Sequence, residues 1–364
     1  MKRPTISRRR FIGTASAFAA GSAAFGLNNI LPVSPVPGRR KHIVSIVKIE
    51  NGNIQKAVEE AVDLLGGIRS VTRGQDSIIL KPNLVADSPD CTTKPAVIKA
   101  LAQLMKHAGK EVMIGEGSAA AASFNIINNV QFRTRKKDIL DGMQQHVFDV
   151  LGYSDMAKSL GIPLINLHSG DITEVPLANG FAAKSVRIHR SLAEADLICS
   201  VPMMKTHVLA TITLAMKNLI GLYPGTEYYS ARAWLHEKAF EAGSTGVAYE
   251  VIDMNNAVKT GLSVIDASVA MEGNGPSGGP LVQMGLIIAG TSPLATDMVG
   301  ATLMGFDPEE IPAIILAHKS GKTPGTMADI EIRGMKPENC SRKFVRPVIY
   351  KWSDISKVWA AQEI

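Results

Sequence analysis

The chain has 364 residues, 46% hydrophobic and 20% charged, with a formal net charge of +6; this composition excludes wholesale disorder and suits one large α/β domain or two ordinary ones. Five cations, Lys2, Arg3, Arg8, Arg9 and Arg10, lie in an acid-free leader, and setting them aside leaves 34 basic against 33 acidic groups, so the charge balance speaks against nucleic-acid binding. Beyond residue 40 no uncharged apolar run approaches the roughly 20 residues of a membrane span.

Residues 1–30 read as an export signal. "SRRRFIGTASAFAAGSAAFGL" sets Arg8-Arg9 in the Ser-Arg-Arg-x-Phe-Ile-Gly context of a twin-arginine motif, ahead of a weakly apolar Ala/Gly/Ser stretch. The partner expected from it is the Tat translocase, and the expected location is the periplasm or the outer side of the inner membrane. Residues 31–41, punctuated by prolines, read as an extended linker. Residues 42–335 follow as an α/β domain, whole or as two lobes meeting near residue 200, and 336–364 as a C-terminal extension.

From residue 42 the pattern alternates. "HIVSIVKI" predicts a strand, "IQKAVEEAVDLLGG" an amphipathic helix closed by glycine, and "DSIILKPNL" a strand stopped by Pro82. "TKPAVIKALAQLMKHAG" predicts a helix with Pro95 in its first turn and Gly109 past its end. "KEVMIGEGS" is a further strand, and residues 123–146 are a polar, Asn-rich excursion. "PLINL", "ADLICSVP", "LSVIDAS" and "MGLIIAGT" are later strands, and "PLATDMVGATLMGF" is a helix. Apolar strands between helices imply a mostly parallel or mixed sheet covered on both faces. Cys91, Cys199 and Cys340 are far apart with no C-x-x-C, so these cysteines alone build neither an iron–sulfur cluster nor a zinc ribbon.

Polar residues recur at one place in this pattern. Lys81 and Asn83 follow "SIIL", Glu116 follows "VMIG", Lys205, Thr206 and His207 follow "LICSVP", and Asp266 follows "LSVI". In open α/β sheets, ligands bind outside the carboxyl ends of the strands. "MMKTH" then reads as an exit loop and "TITLAMKNLI" as a helix capped by Thr211 or Thr213. Its N-terminus would favour an anion beside Lys205 and His207, with Lys217 and Asn218 farther along. The opposing reading makes these lysines snorkelling residues on a core helix.

"IDASVAMEGNGPSGGP" combines a glycine-rich backbone with oxygen donors Asp266, Glu272 and Asn274; the two acids are candidate ligands for a divalent cation. Asp297, an acid on an apolar helix, is expected to turn inward onto Lys205 or Lys217. His236, in the long insertion after Gly221, is placed to fold over the strand ends as a lid.

"LKPNLV", "VMIGEGS", "EADLICSVPMMKTHVLATITLAMKNLIGL", "VIDASVAMEGNGPSGGP" and "SPLATDMVGATLMGFDPEEIP" together resemble the domain of unknown function 362 family. Several members of that family carry a fused ferredoxin-type module or lie near redox genes. The chain departs from that subset, having no cluster-binding cysteines. The resemblance implies no defined activity, so function rests on the site residues. One expectation is an exported enzyme acting on a small carboxylate or phosphate. In it Lys205, His207 and Lys217 are catalytic, while Lys81, Asn83, Thr206, Asn218 and Asn274 bind substrate. Glu116, His236 and Asp297 support them, and Asp266 and Glu272 hold a metal. Analogy with nickel-pincer lactate racemases, which also set a lysine and histidines in a cleft between α/β lobes, belongs to this class. The alternative is a non-catalytic binding or assembly factor of the cell envelope that serves a redox partner.

Overall fold

The computed structural model describes residues 41–128, 130–351 and 363–364. The twin-arginine segment, nearly all of the linker and residues 352–362 of the extension lie outside the described residues. In chain order the main strands are β1 (His42–Lys48), β2 (Ser77–Pro82), β3 (Glu111–Glu116), β4 (Leu164–Asn166), β5 (Leu197–Val201), β6 (Met203–His207), β7 (Thr211–Thr213), β8 (Thr260–Met271), β9 (Leu281–Gly290) and β10 (Ile330–Gly334). Among the described residues they form one ten-stranded sheet, ordered β10-β1-β9-β8-β5-β2-β3-β4, with β6 on β8 and β7 on β6. Pairing is parallel from β8 through β5, β2 and β3 to β4, and antiparallel where β9 meets β1 and β8. The sheet is therefore mixed.

Helices used below are α1 (Ile54–Asp63), α2 (Pro95–His107), α3 (Lys137–Val150), α4 (Tyr153–Leu160), α5 (Ala215–Asn218), α6 (Ala233–Glu241), α7 (Ala248–Ala257), α8 (Pro293–Leu303) and α9 (Pro312–Lys319). Strand side chains alternate between two cores. Ile78, Leu80, Val112, Ile114, Leu262 and Val264 pack with α1 to α4, whereas Ile79, Ile198, Ile265 and Ile288 pack with α7, α8 and α9. A period-2 strand apolar at every position must be covered on both faces, which is why these strands carry almost no polar residue before their ends. α1 buries Ala57, Val58, Ala61 and Val62 on one face, and Asn53 caps it by accepting from the Lys56 amide at 3.0 Å.

The feature that positions the site is a split in the sheet. β5 and β6 are separated by Pro202 alone, and both lie along β8, β5 against Thr260–Ser263 and β6 against Asp266–Met271. β2 pairs with β5 only as far as Pro82 opposite Val201, and among the described residues no pairing joins β2 to β6. Proline supplies no ladder donor, so the sheet parts where Pro82 and Pro202 fall.

The stretch 201–221 differs from its expected form. Met203–His207 is a buried strand, not an exit loop, because the parallel edge of β8 extends far enough to hold it. Thr211–Thr213 is the returning strand of a hairpin, in keeping with its β-branched residues, and Thr211 has φ +68°. Neither threonine caps a helix. α5 begins at Ala215 and passes into a 3-10 turn over Leu219–Leu222.

Candidate functional site

At the root of the split a buried ion pair is tied into the backbone. Glu116, the last residue of β3, accepts from Lys81 Nζ at 2.7 Å and from the amides of Leu84 and Gly117 at 2.8 Å each. Lys81 also donates to Pro82 O at 2.6 Å and Asn218 Oδ1 at 3.2 Å. Asn218 Nδ2 in turn donates to Lys81 O and Ser200 Oγ, each at 3.1 Å. Burial pulls the Lys81 ammonium below its ordinary value, and Glu116 offsets part of that. Gly221 closes over the pair: a Cβ there would stand 2.5 Å from Glu116 Oε1 and 2.6 Å from Lys81 Nζ. Gly221→Ala should therefore cost about 1–3 kcal/mol in a denaturation midpoint; a parental midpoint would show slack in this packing that the geometry denies.

Facing the pair is a cationic wall. Arg232 is buried and donates through Nη2 to Gly117 O and, at 2.8 Å, to Gly221 O. Its Nε has no partner, and burial pulls its pKa down to about 10. The turn that delivers it is strained, with φ +63° at Tyr229, +53° at Ala231 and +60° at Arg232, left-handed values that non-glycine residues adopt at a cost and that cluster at functional sites. On α6, His236 Nδ1 meets Glu250 Oε1 of α7 at 2.6 Å, and Glu250 Oε2 is buried without a partner. Burial raises the Glu250 carboxyl. His207 Nδ1 accepts from the Leu209 amide at 3.0 Å, which leaves Nε2 to carry the ring proton. Burial first, then Lys217 and Lys205, push that imidazole well below its usual range, so it stays neutral.

Lys217 differs from its neighbours. Its amine makes none of the hydrogen bonds or ion pairs found among the described residues, and burial, with Lys205 and Arg232 nearby, lowers its pKa to about 7.

A cavity of about 510 Å3 lies between these walls, well within the range of small-molecule sites. Of the residues singled out in the sequence, Lys81, Asn83, Glu116, His207, Lys217, Asn218 and His236 line it. Six others do not. Lys205 lies behind the wall, its Nζ donating to Cys91 O at 2.6 Å and Pro276 O at 3.2 Å, with its pKa lowered by burial to about 8. Thr206 holds the glycine loop through Gly273 O at 2.7 Å, and Asn274 Oδ1 accepts from the Val348 amide at 2.9 Å.

Asp266 and Glu272, expected as metal ligands, lie outside the cavity. Asp266 accepts from the Lys94 and Ser268 amides and the Ser268 hydroxyl, and Glu272 from the Val345 amide. Among the described residues no group of three or more His, Cys, Asp or Glu side chains is placed to hold a metal ion. The pairing expected of Asp297 is corrected. Asp297 makes no ion pair with Lys205 or Lys217; its two oxygens accept from the Ala215 and Met216 amides at 2.6 and 2.9 Å. The anion at the start of α5 is thus this carboxylate, with its pKa pushed up by burial to about 7.

Sequence reading missed Arg232, Glu250 and Tyr350. Tyr350 lines the cavity because residues 345–350 lie along the glycine loop, held by the Glu272 and Asn274 contacts and by the Tyr350 amide on Val208 O at 3.0 Å.

Residues 78–302 match a family model described as a domain of unknown function, DUF362. A thylakoid-associated protein of Synechocystis sp. is 26% identical over 280 residues, covering 76% of this chain and 77% of that protein. Among solved structures, the lactate racemase apoprotein of Thermoanaerobacterium thermosaccharolyticum is similar over 71% of this chain and 56% of its own, at 14% identity and a TM-score of 0.38. A protein of Thermotoga maritima is similar over 59% of this chain and 50% of its own, at 15% identity and a TM-score of 0.33. The chain spans about half the length of these two structures.

Proposed function

We propose, for a chain that belongs to the DUF362 family, that the cleft binds a small organic anion, a carboxylate or phosphate, and that the protein is an enzyme moving protons on it. The observation that carries this reading is uncompensated positive charge. Glu116 is the one acid among the described cavity-lining residues and is committed to Lys81, while Glu250, which does not line the cavity, gives one oxygen to His236 and makes no ion pair with Lys217 or Arg232. Arg232 and Lys217 therefore face the cavity without an acid partner of their own, a cost that a bound anion removes. Neutral His207 offers an Nε2 proton to the ligand, and the His236–Glu250 pair is arranged as an acid–base couple.

Calorimetric titration of malonate and of inorganic phosphate tests the reading. At least one should bind, more weakly as salt rises, and Arg232→Gln should weaken it tenfold or more, about 1.4 kcal/mol. A parent protein that binds neither overturns it.

Export by the Tat route to the periplasmic side belongs to the same proposal. Arg8-Arg9 supports it, and among the described residues no helix is long and apolar enough to cross a membrane. The second reading, an envelope binding or assembly factor working with a redox partner, draws support from that motif and from the thylakoid association in the relative's name. A ligand that co-purifies and is never turned over would select it.

A further inference from the structure

We infer that the Lys217 amine forms an imine with the carbonyl carbon of an aldehyde or ketone that also carries a carboxylate or phosphate. The inference rests on the anion-binding reading above and names the substrate class for the same cleft.

Three lysines surround this site, and their hydrogens are spent differently. Lys81 has three acceptors for its three N–H bonds, Pro82 O, Glu116 and Asn218 Oδ1. Lys205 is tied to two carbonyls and stands outside the cavity. Lys217 lines the cavity with its amine uncommitted. Lys217 also borders a second, small pocket lined mostly by apolar side chains such as Ile212, Leu214, Val251 and Ile314, together with Asp297. A lysine nucleophile needs its lone pair, and desolvation beside other cations is how proteins expose one near neutral pH. The charged groups facing it are Lys205 from β6, Lys81 from β2 and Arg232 from the strained turn, which disfavour the ammonium, and Glu250 from α7, which favours it; burial exceeds them all. Near its value of about 7 the amine is neutral in roughly half of the molecules.

The chemistry balances without an oxidant or reductant. The nitrogen lone pair forms the C–N bond while the carbonyl π pair moves to oxygen. One proton passes from nitrogen to that oxygen, giving a carbinolamine. A second proton, from solvent, turns the hydroxyl into a leaving water as the nitrogen lone pair closes the C=N bond. Amine, carbonyl compound and one proton become a protonated imine and water. Arg232 is placed to hold the substrate's anionic group.

The test is reductive trapping on the full chain. Pyruvate and dihydroxyacetone phosphate are the probes, cyanoborohydride supplies hydride to the imine carbon, and peptide mapping by mass spectrometry locates the adduct. One or both ketones should label the peptide carrying Lys217 at least tenfold above any exposed lysine, with the rate rising as pH passes through about 7. Excess lactate or glycerol phosphate, which lack the carbonyl, should suppress the label. Lys217→Arg should lose the label while still melting cooperatively and still binding the carbonyl-free anion. Even labelling of surface lysines, or no Lys217 adduct from either ketone, overturns the inference. If the carbonyl-free anions bind while Lys217 stays unlabelled, only the imine falls. If no anion binds at all, the cleft reading falls with it.

Discussion

Replacing Glu116 with alanine is expected to cost the fold about 3–5 kcal/mol, read as a shift in the urea midpoint. The substitution leaves the Lys81 ammonium, only 1% exposed, with two neutral acceptors in place of a carboxylate. It also strands the Leu84 and Gly117 amides that Glu116 accepts, each orphaned donor adding about 1 kcal/mol or more. Glu116→Gln should cost less, because an amide oxygen still accepts. Lys81→Met combined with Glu116→Leu should recover much of the loss, since removing both charges removes the desolvation that the pair must overcome. A loss under about 1 kcal/mol for Glu116→Ala would mean that water reaches the pair, contrary to its burial.

Lys217→Met should act in the opposite direction, stabilising the protein by about 2–4 kcal/mol below pH 7 while abolishing the labelling described above. The sign follows from linkage. Lys217 has a folded pKa of about 7 against an ordinary 10.5, so between those values the unfolded chain binds more protons than the folded one. Its contribution is fully present above pH 10.5 and is lost as pH falls through about 7. The methionine variant lacks this slope, and its advantage over the parent should shrink to nothing toward pH 10. Asp297 has the reverse dependence. Its folded pKa of about 7 lies above the ordinary 3.8, so its contribution is present below 3.8 and lost as pH rises to about 7. Because Asp297 is common to both proteins, the difference between their pH profiles isolates Lys217. Equal stability at pH 6 would show the amine to be well solvated and would remove the case for a poised nucleophile.

Lys81 and Glu116 were legible because period-2 strands reveal where a polar residue interrupts a buried run, and that interruption falls at the strand ends where ligands bind. The continuous apolar runs in "SIIL" and "VMIG" likewise announced a sheet covered on both faces, as Ile78 and Ile79 bear out by entering different cores. The same logic did not separate Lys205 from Lys217. Both interrupt apolar runs, yet one donates to the carbonyls of Cys91 and Pro276, remote in sequence, and the other does not. Asp297 was rightly expected to turn inward, but its partners are main-chain amides, which every residue possesses and no pattern marks. Arg232 was invisible for a related reason: left-handed torsions at three non-glycine residues bring it to the cleft, and "YYSARAW" carries no glycine to signal such a turn. Glu250 gave no signal in the sequence because its meaning depends on His236, on a different helix.

The split between β2 and β6 has a mechanical consequence. Hydrogen-bonded ladders resist shear and spreading along their whole length, but the two lips of this slit share no ladder; they are joined at its root, where β2, β5 and β8 still run side by side. Prising the lips apart breaks no strand-to-strand bond between them, so the stiffness of the aperture comes from what spans it, above all Asn218 and Gly221 laid across Lys81 and Glu116. The cavity is in this sense a notch in a stiff plate, and the buried ion pair sits at its tip, where opening stress concentrates.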